Sequence, residues 1–260
     1  MGADATLSVL VVLLLAMPLA AAVTVALLGS RQAEAVRWCS LAATVINLVL
    51  AVILAVSFAQ RRHGQEAADG EPAKKTELYP TFLPEFVPGS PSDRPHDTTW
   101  SLLQLGQKPT EAIQFYVGFD GLNVWLIVLT AVLMVSSVLV SWNAIQERVP
   151  EFYAWLLVLQ TGMQGVFLAF DIVLFYVFFE LTLVPLFFVI GIWGGPQRRY
   201  AARKFFIFTL SGSLITLLGL LGIVLACYFN GTPREQRLTF YIPELVSVVN
   251  NQLHYLHANP

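Results

Sequence analysis

Charge is what this 260-residue chain has least of: Asp, Glu, Lys and Arg together make up 12% of it, against roughly 25% in an ordinary globular domain. With 56% hydrophobic residues and a mean hydropathy of +0.66, a large soluble core is excluded. Lipid is the solvent such a composition needs. Basic and acidic residues nearly balance, at 15 against 17, so nothing argues for a nucleic-acid partner. Cys39 and Cys227 are the only cysteines. They cannot hold an iron–sulfur cluster, and they fall on spans whose expected topology puts them at opposite membrane faces, which excludes a disulfide between them. The four histidines, His63, His96, His254 and His257, lie in polar segments. The last two have helical spacing, but two ligands do not make a metal site. No glycine-rich dinucleotide fingerprint or P-loop occurs.

What the chain has in quantity is apolar runs of about 20 residues, the length that crosses a bilayer. Six are read as transmembrane helices: Leu7–Leu28, Trp38–Phe58, Leu122–Trp142, Phe152–Phe170, Ile172–Trp193 and Phe205–Phe229. Helices follow from the solvent, because every backbone donor and acceptor must pair within its own segment. The first run is too long for a signal-peptide core, and Met1 to Thr6 carries no Lys or Arg, so a cleaved leader is not expected. The fold class is therefore an all-α integral membrane protein of six spans.

The chain divides by composition into residues 1–59, with the first two spans; 60–115, an external loop rich in Pro, Gly and charge; 116–229, with spans three to six; and 230–260, an external tail with a short amphipathic piece at Ile242–Leu253. Arg31 and Arg37 follow the first span, Arg148 the third, and Arg198, Arg199, Arg203 and Lys204 the fifth. Those loops read as cytoplasmic and the N-terminus as outside. Arg61 and Arg62 sit on the opposite side, but at the start of a long loop, where the charge rule has little force.

Glu180 is the residue that most needs explaining. It stands in the middle of the fifth span, where a carboxylate costs about 2.5 to 3.5 kcal/mol on insertion scales. Shielding from water disfavours its charged form, so such a group can take up and release a proton when water or a basic partner reaches it. A proton relay is the functional reading; a protonated carboxyl bonding a neighbouring helix is the structural one. Pro185 removes the amide that would bond the Leu181 carbonyl and is expected to kink the helix beside Glu180. Gln160, Thr161 and Gln164 in the fourth span either bond between helices or line a hydrated path, bonding being the stronger reading. Lys204 is a candidate for tuning the proton affinity of Glu180, although about 20 Å of helix from Glu180 to Trp193 requires intervening water. Ser211, Gly212, Ser213, Gly219 and Gly222 suggest close helix packing in the sixth span.

The run Phe175-Tyr-Val-Phe-Phe-Glu180-Leu-Thr-Leu-Val-Pro185-Leu-Phe-Phe-Val-Ile-Gly-Ile-Trp193-Gly-Gly-Pro196, continuing into Tyr200-Ala-Ala-Arg-Lys204-Phe-Phe, closely resembles chain M, the antiporter-like subunit 4 of NADH-quinone oxidoreductase, respiratory complex I. Tyr116-Val-Gly-Phe-Asp120-Gly-Leu is similar to that family's entry into the third span. The likeness is strong from Tyr116 to Phe229 and rests on hydropathy alone in the first two spans. It implies the N-terminal part of the antiporter-like fold, with Glu180 as the fifth-helix carboxylate of a proton channel whose lysine partner stands in a seventh helix, beyond the six spans here. It also implies redox groups on other subunits (NAD, FMN, iron–sulfur clusters and quinone), with sister membrane subunits as partners in an energy-coupling membrane such as the cell inner membrane. The alternatives are a structural fragment of that subunit, which a following reading frame for the missing helices would reveal, and a related cation/proton antiporter or membrane-bound hydrogenase subunit, distinguished by neighbouring genes.

Overall fold

A computed structural model describes residues 2–29, 32–69, 84, 86–88, 90, 100–104, 112–230, 240–243, 245–246 and 249. Six α-helices carry the fold: α1 (Gly2–Leu28), α2 (Ala33–Asp69), α3 (Asn123–Ala144), α4 (Val149–Leu168), α5 (Ile172–Trp193) and α6 (Arg198–Asn230). Five of them, all but α4, contain a stretch long and apolar enough to cross a membrane. The fold is the six-helix, all-α membrane architecture expected, and the bounds of α5 coincide with the apolar run. Among the other helices, α2 and α6 begin several residues before their apolar runs, because a helix continues into water where its sequence permits while the apolar run ends at the lipid boundary.

α4, the one helix without a stretch apolar enough to count as a span, is the central one. It packs against α1, α2, α3 and α5, and its Gln160, Thr161 and Gln164 are all buried. A helix surrounded by others need not present an apolar face to lipid, so it can carry amides that a peripheral span could not. Two apolar clusters hold the bundle. One joins Leu10, Val11 and Leu14 of α1 to Leu54 and Phe58 of α2 and Ile127 of α3. The other joins Val25 of α1, Val36 of α2, Val138 of α3 and Tyr153 and Leu157 of α4. α6 lies at the edge, packed chiefly on α5, and leaves Ile207, Phe208, Ile215 and Leu218 exposed.

The two ends of the bundle are built differently. At the basic end, Arg37 donates to the Ile145 carbonyl at 2.9 Å, the Trp193 indole donates to the Glu147 carbonyl at 2.8 Å, and Trp38 meets Trp142 edge to face. Tryptophans at such a level suit a membrane interface. At the other end the stretch between α4 and α5 is extended and hydrogen-bonded on both sides. Gly118 N donates to Leu168 O at 2.9 Å and Phe170 N to Tyr116 O at 2.9 Å, while Ile172 N donates to Phe240 O and Ile242 N to Phe170 O, both at 3.0 Å.

Within 60–115, two described pieces have regular structure. α2 continues to Asp69, where Gln, Glu and Ala favour a helix once no lipid boundary ends it, and β1 (Ser101–Gln104) pairs antiparallel with β2 (Ala112–Gln114). Part of the amphipathic piece at 242–253 is described, and Ile242, Leu245, Val246 and Val249 are helical. It docks on the bundle, since Phe240 and Leu245 are buried with Ile172, Val224 and Cys227. Arg31, His96, His254 and His257 lie outside the described residues, as do the side chains of Arg61, Arg62 and His63.

Candidate functional site

α5 is pinned on two faces. Toward α4 it presents Phe178 and Thr182, and it comes so close that a Cβ at Gly165 would stand 2.2 Å from the Phe178 ring and one at Gly162 would stand 2.9 Å from Thr182 Cγ2. Trp155 stacks on Phe188 further along, with centroids 4.5 Å apart. Two residues along a helix is 200° of rotation, so Glu180, between Phe178 and Thr182, points away from α4.

The face on which Glu180 stands is covered by α6. Ser213 donates its hydroxyl to Glu180 Oε1, Phe187 meets Phe206 with centroids 5.2 Å apart, and a Cβ at Gly191 would touch Ala202 Cβ at 3.4 Å. The contacts advance by seven residues and then four along α5 while retreating by the same steps along α6, as antiparallel neighbours must. Ser213 is buried while Glu180 is only partly so, and the Tyr176 side chain, one turn before Glu180, interacts with both. Leu210 O of its own helix is a second acceptor within reach of the same Ser213 hydroxyl, 2.9 Å away. Pro185 is buried within an α5 that runs unbroken to Trp193.

Other residues singled out from sequence are not brought to Glu180. Lys204 is exposed, with Nζ 5.8 Å from the centroid of the Tyr200 ring. Nine residues separate it from Ser213, which is two and a half helical turns, so it occupies the opposite face of α6. Gln160 and Gln164 face α2, where Asn47 Oδ1 accepts from both side-chain amides, at 3.0 Å from Gln160. Thr161 bonds its own helix at Leu157 O, 3.3 Å away. Of the two readings of this cluster, interhelical bonding is what the glutamines show: they lie on the side of α4 away from α5, and Thr161 stands between that face and the glycine seam.

Sequence reasoning missed Asn47 and Tyr176 and read Ser213 only as a packing residue. Tyr176 carried a signal, since it lies four residues before Glu180 on one helix face. Ser213 and Asn47 carried none, because each meets its partner on another helix. Cys39 and Cys227 are both free, and among the described residues no three of His, Cys, Asp and Glu gather to hold a metal.

Asp171 caps α5 at the end opposite the basic loops. Its Oδ1 accepts from Val173 N at 2.8 Å and Leu174 N at 3.1 Å, and Oδ2 accepts from Gln114 N at 3.3 Å. Burial lifts this carboxyl from 3.8 to about 6, against the opposing pull of those three backbone donors.

A six-helix, all-α membrane bundle of this arrangement matches the fold of the antiporter-like membrane subunits of respiratory complex I. Residues 169–257 match the family model described as NADH:quinone oxidoreductase/Mrp antiporter, transmembrane, and the chain resembles subunit M, or chain 4, of NADH-quinone oxidoreductase in sequence. It is 31% identical to subunit M of Rhodobacter capsulatus over 80% of this chain and 34% of that one, and 45% identical to subunit M of Pseudomonas aeruginosa over 46% of this chain and 25% of that one. It is also 41% identical to F(420)H(2) dehydrogenase subunit M of Methanosarcina mazei, over 54% of this chain and 27% of that one. The chain thus spans about a quarter to a third of the length of these relatives. In fold it is similar to a chain of respiratory complex I from Thermus thermophilus, with a TM-score of 0.58 at 20% identity over 91% of this chain and 39% of that one.

Proposed function

We propose that this chain is a proton-translocating membrane subunit of a complex of the NADH-quinone oxidoreductase type, in which Glu180 takes up and releases the proton. The observation that carries this reading is a carboxylate midway along α5, within the family-matched segment and bonded to a hydroxyl on the next helix.

Ser213 suits both protonation states. When Glu180 is ionised, the Ser213 hydroxyl donates to it. When Glu180 is protonated, its O–H donates to Ser213 Oγ, and the serine hydrogen turns to Leu210 O, already within reach at 2.9 Å. Neither state leaves a buried group unpaired, so the proton can come and go without disrupting the contact between α5 and α6. Pro185 loosens the backbone at the Leu181 carbonyl, one residue from the carboxyl. Lys204 belongs on this reading to the basic approach rather than to a direct pair with Glu180.

The redox reaction and its groups, NAD, FMN, iron–sulfur clusters and quinone, are assigned to other subunits, with sister antiporter-like subunits as partners in the membrane arm. On this reading the N-terminus is outside, and its support is that Arg37, Arg148, Arg198, Arg199, Arg203 and Lys204 all lie at the opposite end. Segment 60–115 and the tail after 230 then lie on the external side. Relatives named for NADH and for F(420)H(2) match this chain at comparable identity, which agrees with an electron donor read elsewhere in the complex.

The test is proton pumping in membrane vesicles driven by NADH, from cells carrying Glu180→Gln, with assembly of the complex measured in parallel. Pumping should be lost while assembly persists. Normal pumping by the variant would remove Glu180 from the relay and leave a structural role.

A further inference from the structure

On the other side of α4 from Glu180, three amides meet at membrane depth. Asn47 of α2 and Gln160 and Gln164 of α4 are each 0% exposed. Asn47 Nδ2 donates to Leu14 O of α1 at 3.0 Å. That carbonyl is the one Pro18 leaves without its helical donor, because Pro18 stands four residues later in α1 and has no N–H. Asn47 Oδ1 accepts from both glutamines, which occupies both of its lone pairs.

The glutamine oxygens are what remains. Gln160 Oε1 and Gln164 Oε1 are buried and have no donor among the described residues. They stand one turn apart on the same helix face. Turning either amide over does not help, since it sets an oxygen against Asn47 Oδ1 and leaves an NH2 group unmatched. The buried hydroxyls of α2 before Asn47 are committed within their own helix: Ser40 donates to Val36 O at 2.8 Å, and Thr44 to Leu41 O at 3.0 Å. Two buried acceptors on adjacent turns call for a small donor. A cation is disfavoured because no carboxylate among these groups would balance its charge in hydrocarbon. Water is neutral, donates twice, and occupies such polar niches in protein interiors.

We infer that the junction of α1, α2 and α4 is an internal hydration site, in which water donates to Gln160 Oε1 and Gln164 Oε1. It is separate from the Glu180 site, because the seam of Gly162 and Gly165 against Thr182 and Phe178 leaves no room between α4 and α5. It holds no acid or base, so it hydrates the bundle without carrying a proton.

The assembled complex containing this chain, imaged by cryo-electron microscopy at a resolution that shows ordered waters, tests this directly. A water peak within hydrogen-bond distance of both glutamine oxygens is expected. Ordered amides with no peak, another side chain seated there, or a peak at metal–oxygen distances would overturn it. Infrared difference spectra in heavy-oxygen water give a second reading. Bands of non-bulk water should persist in Glu180→Gln and disappear in the double variant Gln160→Met, Gln164→Met. The opposite pattern would overturn the proposal, and if the double variant fails to assemble, the density of the unmodified complex decides.

Discussion

Two polar centres flank the α4–α5 pair, and they differ in every respect that matters to a proton. On the α1 and α2 side, Asn47, Gln160 and Gln164 are neutral, fully buried and bonded to one another. On the α6 side, Glu180 is titratable, partly exposed, and joined to Ser213 by a bond either partner can donate. Both lie close to a proline that frees a backbone carbonyl, Pro18 in α1 and Pro185 in α5. Polarity in a membrane bundle is thus not itself a sign of transport. What separates glue from relay is whether the group can change charge.

The sharpest way to break this comparison is Asn47→Leu. It removes the donor to Leu14 O and the acceptor of both glutamines, three bonds at buried groups each worth about 1 to 3 kcal/mol when a partner is orphaned. Assembled complex should lose several degrees of thermal stability, while whatever assembles pumps at the normal rate per complex. Adding Pro18→Ala, which restores an N–H for Leu14 O, should recover part of the loss. If pumping per complex falls as far as in Glu180→Gln, the two centres are one functional unit and the contrast is wrong.

Asp171 offers a sealed carboxyl to set against the open one. Its folded value is about 6 and its ordinary value 3.8, so the folded chain holds the extra proton between those pH values. The stability from this group is fully present below about pH 4, falls as pH rises through 6, and is flat above. The difference of about two units corresponds to an upper bound of about 3 kcal/mol. Thermal midpoints of the purified complex between pH 4 and 7 should show this decline. Asp171→Asn, which keeps a helix-capping side chain, should remove that component, and an unchanged slope would assign it to other groups.

A smaller effect is expected at the seam that separates the centres. Gly165→Ala would set a methyl group 2.2 Å from the Phe178 ring, and overpacking of this kind costs about 1 to 3 kcal/mol. The complex should assemble less well, with partial recovery in Gly165→Ala, Phe178→Leu. Full assembly of the single variant would mean that α4 and α5 part more easily than their packing suggests.

The unequal legibility of the two centres in the sequence has a physical cause. Length and hydropathy report what touches lipid, so the spans, and the bounds of α5 in particular, could be read directly. Glu180 stood out because a carboxylate in an apolar run is costly wherever its partners are. Partners are another matter. Gln160 and Asn47 are 113 residues apart in the chain, Ser213 and Glu180 are 33 apart, and no periodicity within one helix encodes which face of another it will meet. The continuation of α2 to Asp69 and the pairing of β1 with β2 were hidden for a different reason: outside lipid, neither an apolar run nor a strong alternation marks them.

The finest test of the comparison is Ser213, because it distinguishes a relay's partner from a packing residue. Ser213→Ala removes the hydroxyl and leaves the helix contact nearly unchanged in volume; Ser213→Thr keeps the hydroxyl. A hydrogen bond to a charged group is worth about 1.5 to 3 kcal/mol, and since the two protonation states of Glu180 both use this hydroxyl, only part of that should appear in the rate. A reduction in pumping of about tenfold, or about 1.4 kcal/mol, is expected for alanine, with a shifted pH profile, and most of the rate should return with threonine. A purely structural serine would instead change assembly, leave the pH profile where it was, and treat alanine and threonine by size alone. That outcome would move the α6 side toward the amide side and leave Glu180 without the partner that makes both of its charge states tolerable inside the bundle.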